Sequence, residues 1–217
     1  PRDALQKHQP WNTRELACTS ASAGHGQPAL VTHPVHAYDL GAGVGRHTLP
    51  IVAGLPTGSR VTAVDLIPGA LANLVDNAAA AGLANRVATV NTDLESWAFP
   101  ADDAGLIIAF SAPEHVSSLE ALRAILERCS AATIPGGVNV IGIVAAREEV
   151  TASGARRAAL VELPLSGEQV RGVLHRCFIG WEIHVDDTIP AAVTEERNGA
   201  LHELRSTLIK FVAQAPD

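Results

Sequence analysis

Strand-like and helix-like runs alternate along this chain, and that alternation restricts its fold more than any other feature. "VHAYDL", from Val35, is a short apolar run that ends in glycines and leads into a helical segment. "RVTAVDL", Arg60 to Leu66, is a β-branched run. The Ala-rich amphipathic stretch "PGALANLVDNAAAAG" follows, with Pro68 in its first turn and Gly82 at its end, as a helix start and stop require. "RVATVN" and "AGLIIAF", Ala104 to Phe110, read as two more strands. "SSLEALRAILERCSAA" places Leu119, Leu122, Ile125 and Leu126 on one helix face, and "GGVNVIGIVA" is a fifth strand. Such alternation predicts an α/β fold, a doubly wound, mostly parallel sheet with helices on both faces.

The end of the chain breaks the pattern. After the helix "SGEQVRGVLHRCF", the segments "GWEIHVDDT" and "ELRSTLIKFVAQ" are two strands with no helix between them, joined around "RNG" at 197–199. They predict an antiparallel hairpin that closes a seven-stranded sheet. Residues 1–34 are polar and broken by Pro10, Pro28 and Pro34, with one short helix expected around Arg14 to Thr19. They form an extension, and 35–217 form a single domain, as 217 residues without repeats or linkers allow.

Composition excludes several functions. Apolar residues make up 47%, enough for a full core, and aromatics only 4%, so aliphatic side chains and Ala must fill it. Lys and Arg number 16 against 23 Asp and Glu; a net charge of −7 with no basic stripe argues against nucleic acid. Three widely spaced cysteines, Cys18, Cys129 and Cys177, form neither a disulfide framework nor a zinc site and suit a reducing cytoplasm. No apolar run approaches the ~18 residues of a membrane span. The N-terminus is too polar for a signal peptide, and the start at Pro1 suggests removal of an initiator Met. His33 and His36 lack a third clustered ligand, so no metal is expected.

The densest signal is "AYDLGAGVGRHT", Ala37 to Thr48, with three glycines in five positions. Between a first strand and a first helix, such a loop lets a ligand approach the backbone. Asp65 closes the second strand, 24 residues beyond Gly41, where a carboxylate can accept from both hydroxyls of a ribose. Asp93, in "NTDLES", ends the third strand and can accept from an adenine amino group. Two nucleotide-type cofactors then compete. The dinucleotide fingerprint G-x-G-x-x-G places its last glycine one position later than Gly45, and Asp39, two residues before Gly41, would repel a pyrophosphate. The same carboxylate suits a cationic ligand such as S-adenosylmethionine.

These segments resemble the class I S-adenosylmethionine-dependent methyltransferases. "DLGAGVG" resembles their first motif, "VTAVDL" the second, "NTDLES" the third and "AGLIIAFSAPEHV" the fourth, and the closing hairpin their extra antiparallel strand. The resemblance implies a Rossmann-like methyltransferase fold with cofactor contacts from Asp39, Gly41, Ala42, Gly43, Asp65, Leu66, Asp93, Leu94 and Ser111. The second half looks most like the tellurite-resistance methyltransferases, through "RCSAATIPGGVNVI", "GWE" at 180–182 and the "RNG" turn. That family carries a Leu-His-Arg segment before its Asn-Gly turn, where Val193 and Thr194 stand here. The change points away from tellurite or selenite and toward an organic small-molecule acceptor, with secondary metabolism as a setting.

Methyl transfer from a sulfonium needs alignment first and a base only where the acceptor must lose a proton. The candidates for that base are His115 and Glu114, in "SAPEHV" after the fourth strand. His47 reads as structural or as bordering the methionine end of the cofactor, Trp97 as packing on adenine or in the core, and Trp181 as packing. Trp11, with the N-terminal segment around it, is a candidate lid. The sequence leaves a homodimer open. It also leaves open a cofactor-binding protein without transferase activity and, less well supported, a nicotinamide-dependent oxidoreductase.

Overall fold

The computed structural model describes residues 31–151, 154–158, 163–197 and 200–217. The expected helix near Arg14, the Trp11 segment and the Asn-Gly tip of the hairpin therefore lie outside the described residues.

The parallel half runs β1 (His36–Leu40), α1 (Thr48–Gly54), β2 (Arg60–Asp65), α2 (Pro68–Ala80), β3 (Val87–Asn91), β4 (Ala104–Phe110), α3 (Leu119–Ala132) and β5 (Thr133–Val150). A short β6 (Arg156–Ala158), α4 (Gly167–Cys177) and the hairpin strands β7 (Glu182–Arg197) and β8 (Ala200–Gln214) complete it. Strand order is β3-β2-β1-β4-β5-β8-β7, with β6 on β5 as an unanticipated eighth strand. The first five strands named are parallel, and β8 and β7 are antiparallel. The order reverses between β1 and β4, where doubly wound sheets bind ligands.

Local signals set the helix ends. Pro68 opens α2, where its missing N–H costs nothing. The Ser118 hydroxyl accepts from Ala121 N to cap α3, and Ser166 and Gln169 form a reciprocal capping box on α4. All seven residues of β4 are buried, as expected of a central strand covered on both faces. One face packs Leu122, Ile125, Leu126 and Val173 against Tyr38, Ile107 and Ile141. The other packs Ile51, Val52 and Leu55 against Ala37, Leu106 and Val140. At the strands' N-terminal edge, Asp103 accepts from the Tyr38 hydroxyl and bonds His36, which also bonds Thr62.

β5 is much longer than its expected ten residues. Phe110, the last residue of β4, pairs with Gly142, so β5 continues for eight residues past its neighbour. β8 stays paired with it up to Val150–Glu203, and β6 takes the side that β4 vacates. An overhang thus rises above the strands' carboxyl ends, roughly 25 Å long at ~3.3 Å per residue. A bulge between Ala145 and Glu148 interrupts it, with Ala146 at φ 50°.

Where β4 meets β5, a Cβ on Gly142 would lie 2.4 Å from the Phe110 ring. Gly142→Ala is expected to destabilise the protein by about 1–3 kcal/mol in chemical denaturation, and adding Phe110→Leu should recover most of that loss.

Candidate functional site

The site forms where four strands end together. A cavity of about 330 Å³ opens there, within the range of small-ligand sites. Gly41 comes from the loop after β1, and Asp65, Leu66 and Ile67 from the end of β2. Asp93 and Leu94 follow β3; Ser111, Ala112, His115 and Val116 follow β4.

The glycine loop is tied down from within. Gly41 N and Ala42 N both donate to Val64 O, Gly43 N donates to Asp65 Oδ2 at 2.8 Å, and Gly45 N donates to Ala42 O. All three glycines have positive φ. A Cβ on Gly41 would lie 2.1 Å from Ala112 Cβ, so that glycine is required by the β4 loop pressing on it. Asp65 joins the two loops: its other oxygen accepts from Ile67 N at 2.8 Å. Each carboxylate oxygen keeps a second lone pair for a ligand.

Asp93 is organised in the same way. Its Oδ1 accepts from Glu95 N, and Glu95 accepts from both Ser117 N and Ser117 Oγ. Arg128 on α3 donates to the carbonyls of Leu94 and Glu95. The wall after β3 is thereby fixed to the wall after β4. Ser111 sits at φ 51°, a strained conformation for a residue with a side chain, and its N–H donates to Gly142 O.

The structure separates the sequence candidates. Gly41, Asp65, Leu66, Asp93, Leu94, Ser111 and His115 line the cavity. Ala42 is buried behind it, and Gly43 contributes through its bond to Asp65. Asp39 lies beneath the loop, 1% exposed, and accepts from Thr48 Oγ1 at 2.5 Å. Burial pushes its carboxyl up to about 6, with the nearby Asp65 charge adding to the rise and the Thr48 bond opposing it. Glu114 leaves the site altogether. It is buried, pairs with Arg147 at 3.0 Å, and lines a separate small recess with Val144–Arg147 and Leu163–Leu165. Burial raises its carboxyl against the pull of Arg147.

His47 packs its ring on Phe110, 5.1 Å between centroids, and burial, helped by Arg46, lowers its pKa. Trp97 packs edge-on against Phe99 in the core rather than on the cavity wall, and Trp181 packs on Phe178. His36 is engaged by Asp103 and Thr62. Val193 and Thr194 lie exposed on β7 in the overhang, opposite Leu204 and Glu203. Ile67, Ala112 and Val116 also line the cavity, each directly after a residue that the sequence singles out, and no motif of their own marks them.

These residues fit an adenosyl group: spare carboxylate lone pairs for a diol and an amino group, with Leu66, Ile67, Leu94 and Val116 for a flat apolar ring. They do not fit a pyrophosphate, because the N–H groups of Gly41, Ala42, Gly43 and Gly45 are already spent inside the protein.

Residues 37–137 match the family described as a methyltransferase domain. No curated protein matches the chain. Among solved structures it is similar to TehB from Haemophilus influenzae, with TM-score 0.65 and 17% identity, over 84% of this chain and 58% of that one. It therefore spans less than two thirds of TehB. It is also similar to an S-adenosylmethionine-dependent methyltransferase from Clostridium acetobutylicum, with TM-score 0.58 and 12% identity over 84% of each chain. A third is a putative methyltransferase from Bacillus halodurans, with TM-score 0.65 and 11% identity over 86% and 95% of the two chains. The fold is thus the Rossmann-like methyltransferase fold.

The buried Asp39 gives a pH-dependent prediction. Its carboxyl is raised in the folded state from an ordinary 3.8, so its protonated form stabilises the fold at low pH, and that stabilisation is lost as pH rises through about 6. Relative to the wild type, ligand-free Asp39→Asn should gain on the order of 2 kcal/mol between pH 4 and pH 7, read from denaturation curves across that window.

Proposed function

We propose that the chain is an S-adenosylmethionine-dependent methyltransferase acting on a small organic molecule, with secondary metabolism as its setting. The observation that carries this reading is the pair of fixed carboxylates, Asp65 and Asp93, at adjacent strand ends beside a glycine loop whose Gly41, Ala42, Gly43 and Gly45 N–H groups bond within the protein. The net charge of −7 and the modest size of the cavity favour a small acceptor over a nucleic acid. Among the described residues no helix is long and apolar enough to cross a membrane.

Asp65 is assigned to the ribose hydroxyls and Asp93 to the adenine amino group. Leu66 and Leu94 are assigned to the ring faces, and Gly41 and Ser111 to the wall toward the amino-acid end. Asp39 acts through the loop it supports. The bound cofactor supplies an already activated methyl group, so the protein's task is alignment and exclusion of water. His115 is assigned as the base for acceptors that must lose a proton, because it is the titratable group that the β4 turn brings to the cavity wall. The N-terminal segment, 1–34, is assigned the role of a cover. Tellurite or selenite methylation is disfavoured, since Val193 and Thr194 supply neither a base nor a cation.

Incubation with methyl-labelled S-adenosylmethionine and a panel of phenols, organic acids, amines and thiols tests the reading. Transfer of label to at least one acceptor is expected, and His115→Gln should lower kcat by about 100-fold for hydroxyl acceptors with little change in cofactor affinity. Cofactor binding without turnover on every acceptor would favour a binding protein instead.

A further inference from the structure

The turn after β4 carries Ser111, Ala112, His115 and Val116 of the cavity lining. Little in the turn itself fixes its place. It is one short 3₁₀ turn, Pro113–His115, closed by the bond from His115 N to Ala112 O, and it leaves β4 through strained Ser111. Its place matters because Ala112 abuts the glycine loop: a Cβ on Gly41 would lie 2.1 Å from Ala112 Cβ. Ser111 N ties its start to Gly142 O, and Ser117 ties the chain beyond it to Glu95. Between these ties, Glu114 lines the separate recess formed with Val144–Arg147 and Leu163–Leu165, not the cavity.

Arg147 meets Glu114 in that recess. It belongs to the β5 bulge, past the point where β4 stops, and the bulge is anchored by the bond from Ala146 N to Leu165 O. Glu114 Oε1 accepts from Arg147 at 3.0 Å, and among the described residues Oε2 has no hydrogen-bond partner. The Glu114 side chain is 2% exposed and that of Arg147 27%. A carboxylate so hidden is costly unless a cation compensates it, so Glu114 keeps its buried place because Arg147 is there.

We infer that Glu114 and Arg147 are positioning residues of the cofactor site: their ion pair latches the turn after β4 to the β5 bulge and so sets the cavity wall of Ser111, Ala112, His115 and Val116. This inference rests on the methyltransferase reading above. Neither residue lines the cavity; both act on it through the turn. The pair works as a unit. Removing the cation strands a buried charge, and the turn must shift to bring that charge to water. Replacing both by apolar side chains of similar length strands nothing, and their burial keeps the turn against the bulge.

The test titrates the full chain with S-adenosylhomocysteine by calorimetry, at a temperature where denaturation curves show each variant folded. Arg147→Met should weaken binding about tenfold, and Arg147→Lys, which keeps the charge, by less than about threefold. Adding Glu114→Leu to Arg147→Met should return affinity to within about threefold of the wild type, a rescue that independent losses of packing would not give. Where Arg147→Met does not fold, Arg147→Lys carries the test by amide NMR: its largest shifts outside the β5 bulge should fall on residues 111–117 and on the glycine loop. Affinity within about twofold of the wild type in folded Arg147→Met, a double variant that binds no better than Arg147→Met, or Arg147→Lys shifts no larger at the turn than across the rest of the chain would overturn the inference. Wild-type protein that takes up no S-adenosylhomocysteine would overturn the methyltransferase reading, and this inference with it.

Discussion

The carboxylate of Asp65 holds two loops at once, accepting from Gly43 N on one side and Ile67 N on the other. The loops after β1 and β2 form the floor of the site, and this single side chain fixes their separation. Val64 O completes the joint by taking the N–H groups of Gly41 and Ala42. The floor is therefore organised before any ligand arrives, so little ordering is left to oppose binding. The same bonds decide what the floor can hold. A phosphate at ~6 Å from a carboxylate meets repulsion of about 3 kcal/mol at an effective dielectric of ~20, and the N–H groups of Gly41, Ala42, Gly43 and Gly45 are already engaged. A cationic or neutral group meets no such opposition.

Much of this was legible from local rules. Alternation of apolar runs gave the parallel strands, Pro68 and Gly82 bounded α2, and the lack of a helix between Glu182 and Gln214 gave the hairpin. The cavity carboxylates were legible because strand ends are where such sheets bind ligands. Glu114 was not. A sequence places it beside His115 but cannot show that a bulge thirty residues later brings an arginine to it. The same long-range cause hides the overhang: β5 was read to Ala145, where its apolar run stops, yet β8 and β6 keep pairing with "REEV" through backbone bonds that ignore side-chain polarity. Asp39 was placed correctly in the chain, but its partner Thr48 turned it into a support under the loop rather than part of the wall.

The division of labour follows the topology. The parallel half, with its all-buried β4, forms a frame whose strand ends present carboxylates and apolar residues to the cavity. The antiparallel half adds the overhang, where Val193, Thr194 and Arg147 lie. Strained backbone marks the seam between them: Ser111 and Ala146 are the described non-glycine residues with positive φ, one at the end of β4 and one in the β5 bulge. Strain of about 1–3 kcal/mol at each is carried by the surrounding packing and holds the β4 turn in place.

Calorimetric titration of the wild type and of Asp65→Ala with S-adenosylmethionine and with NAD tests the central claim most directly. The account predicts one site for S-adenosylmethionine on the wild type, at least ~1.5 kcal/mol weaker without the Asp65 carboxylate, and no NAD binding. NAD binding without affinity for S-adenosylmethionine would contradict it.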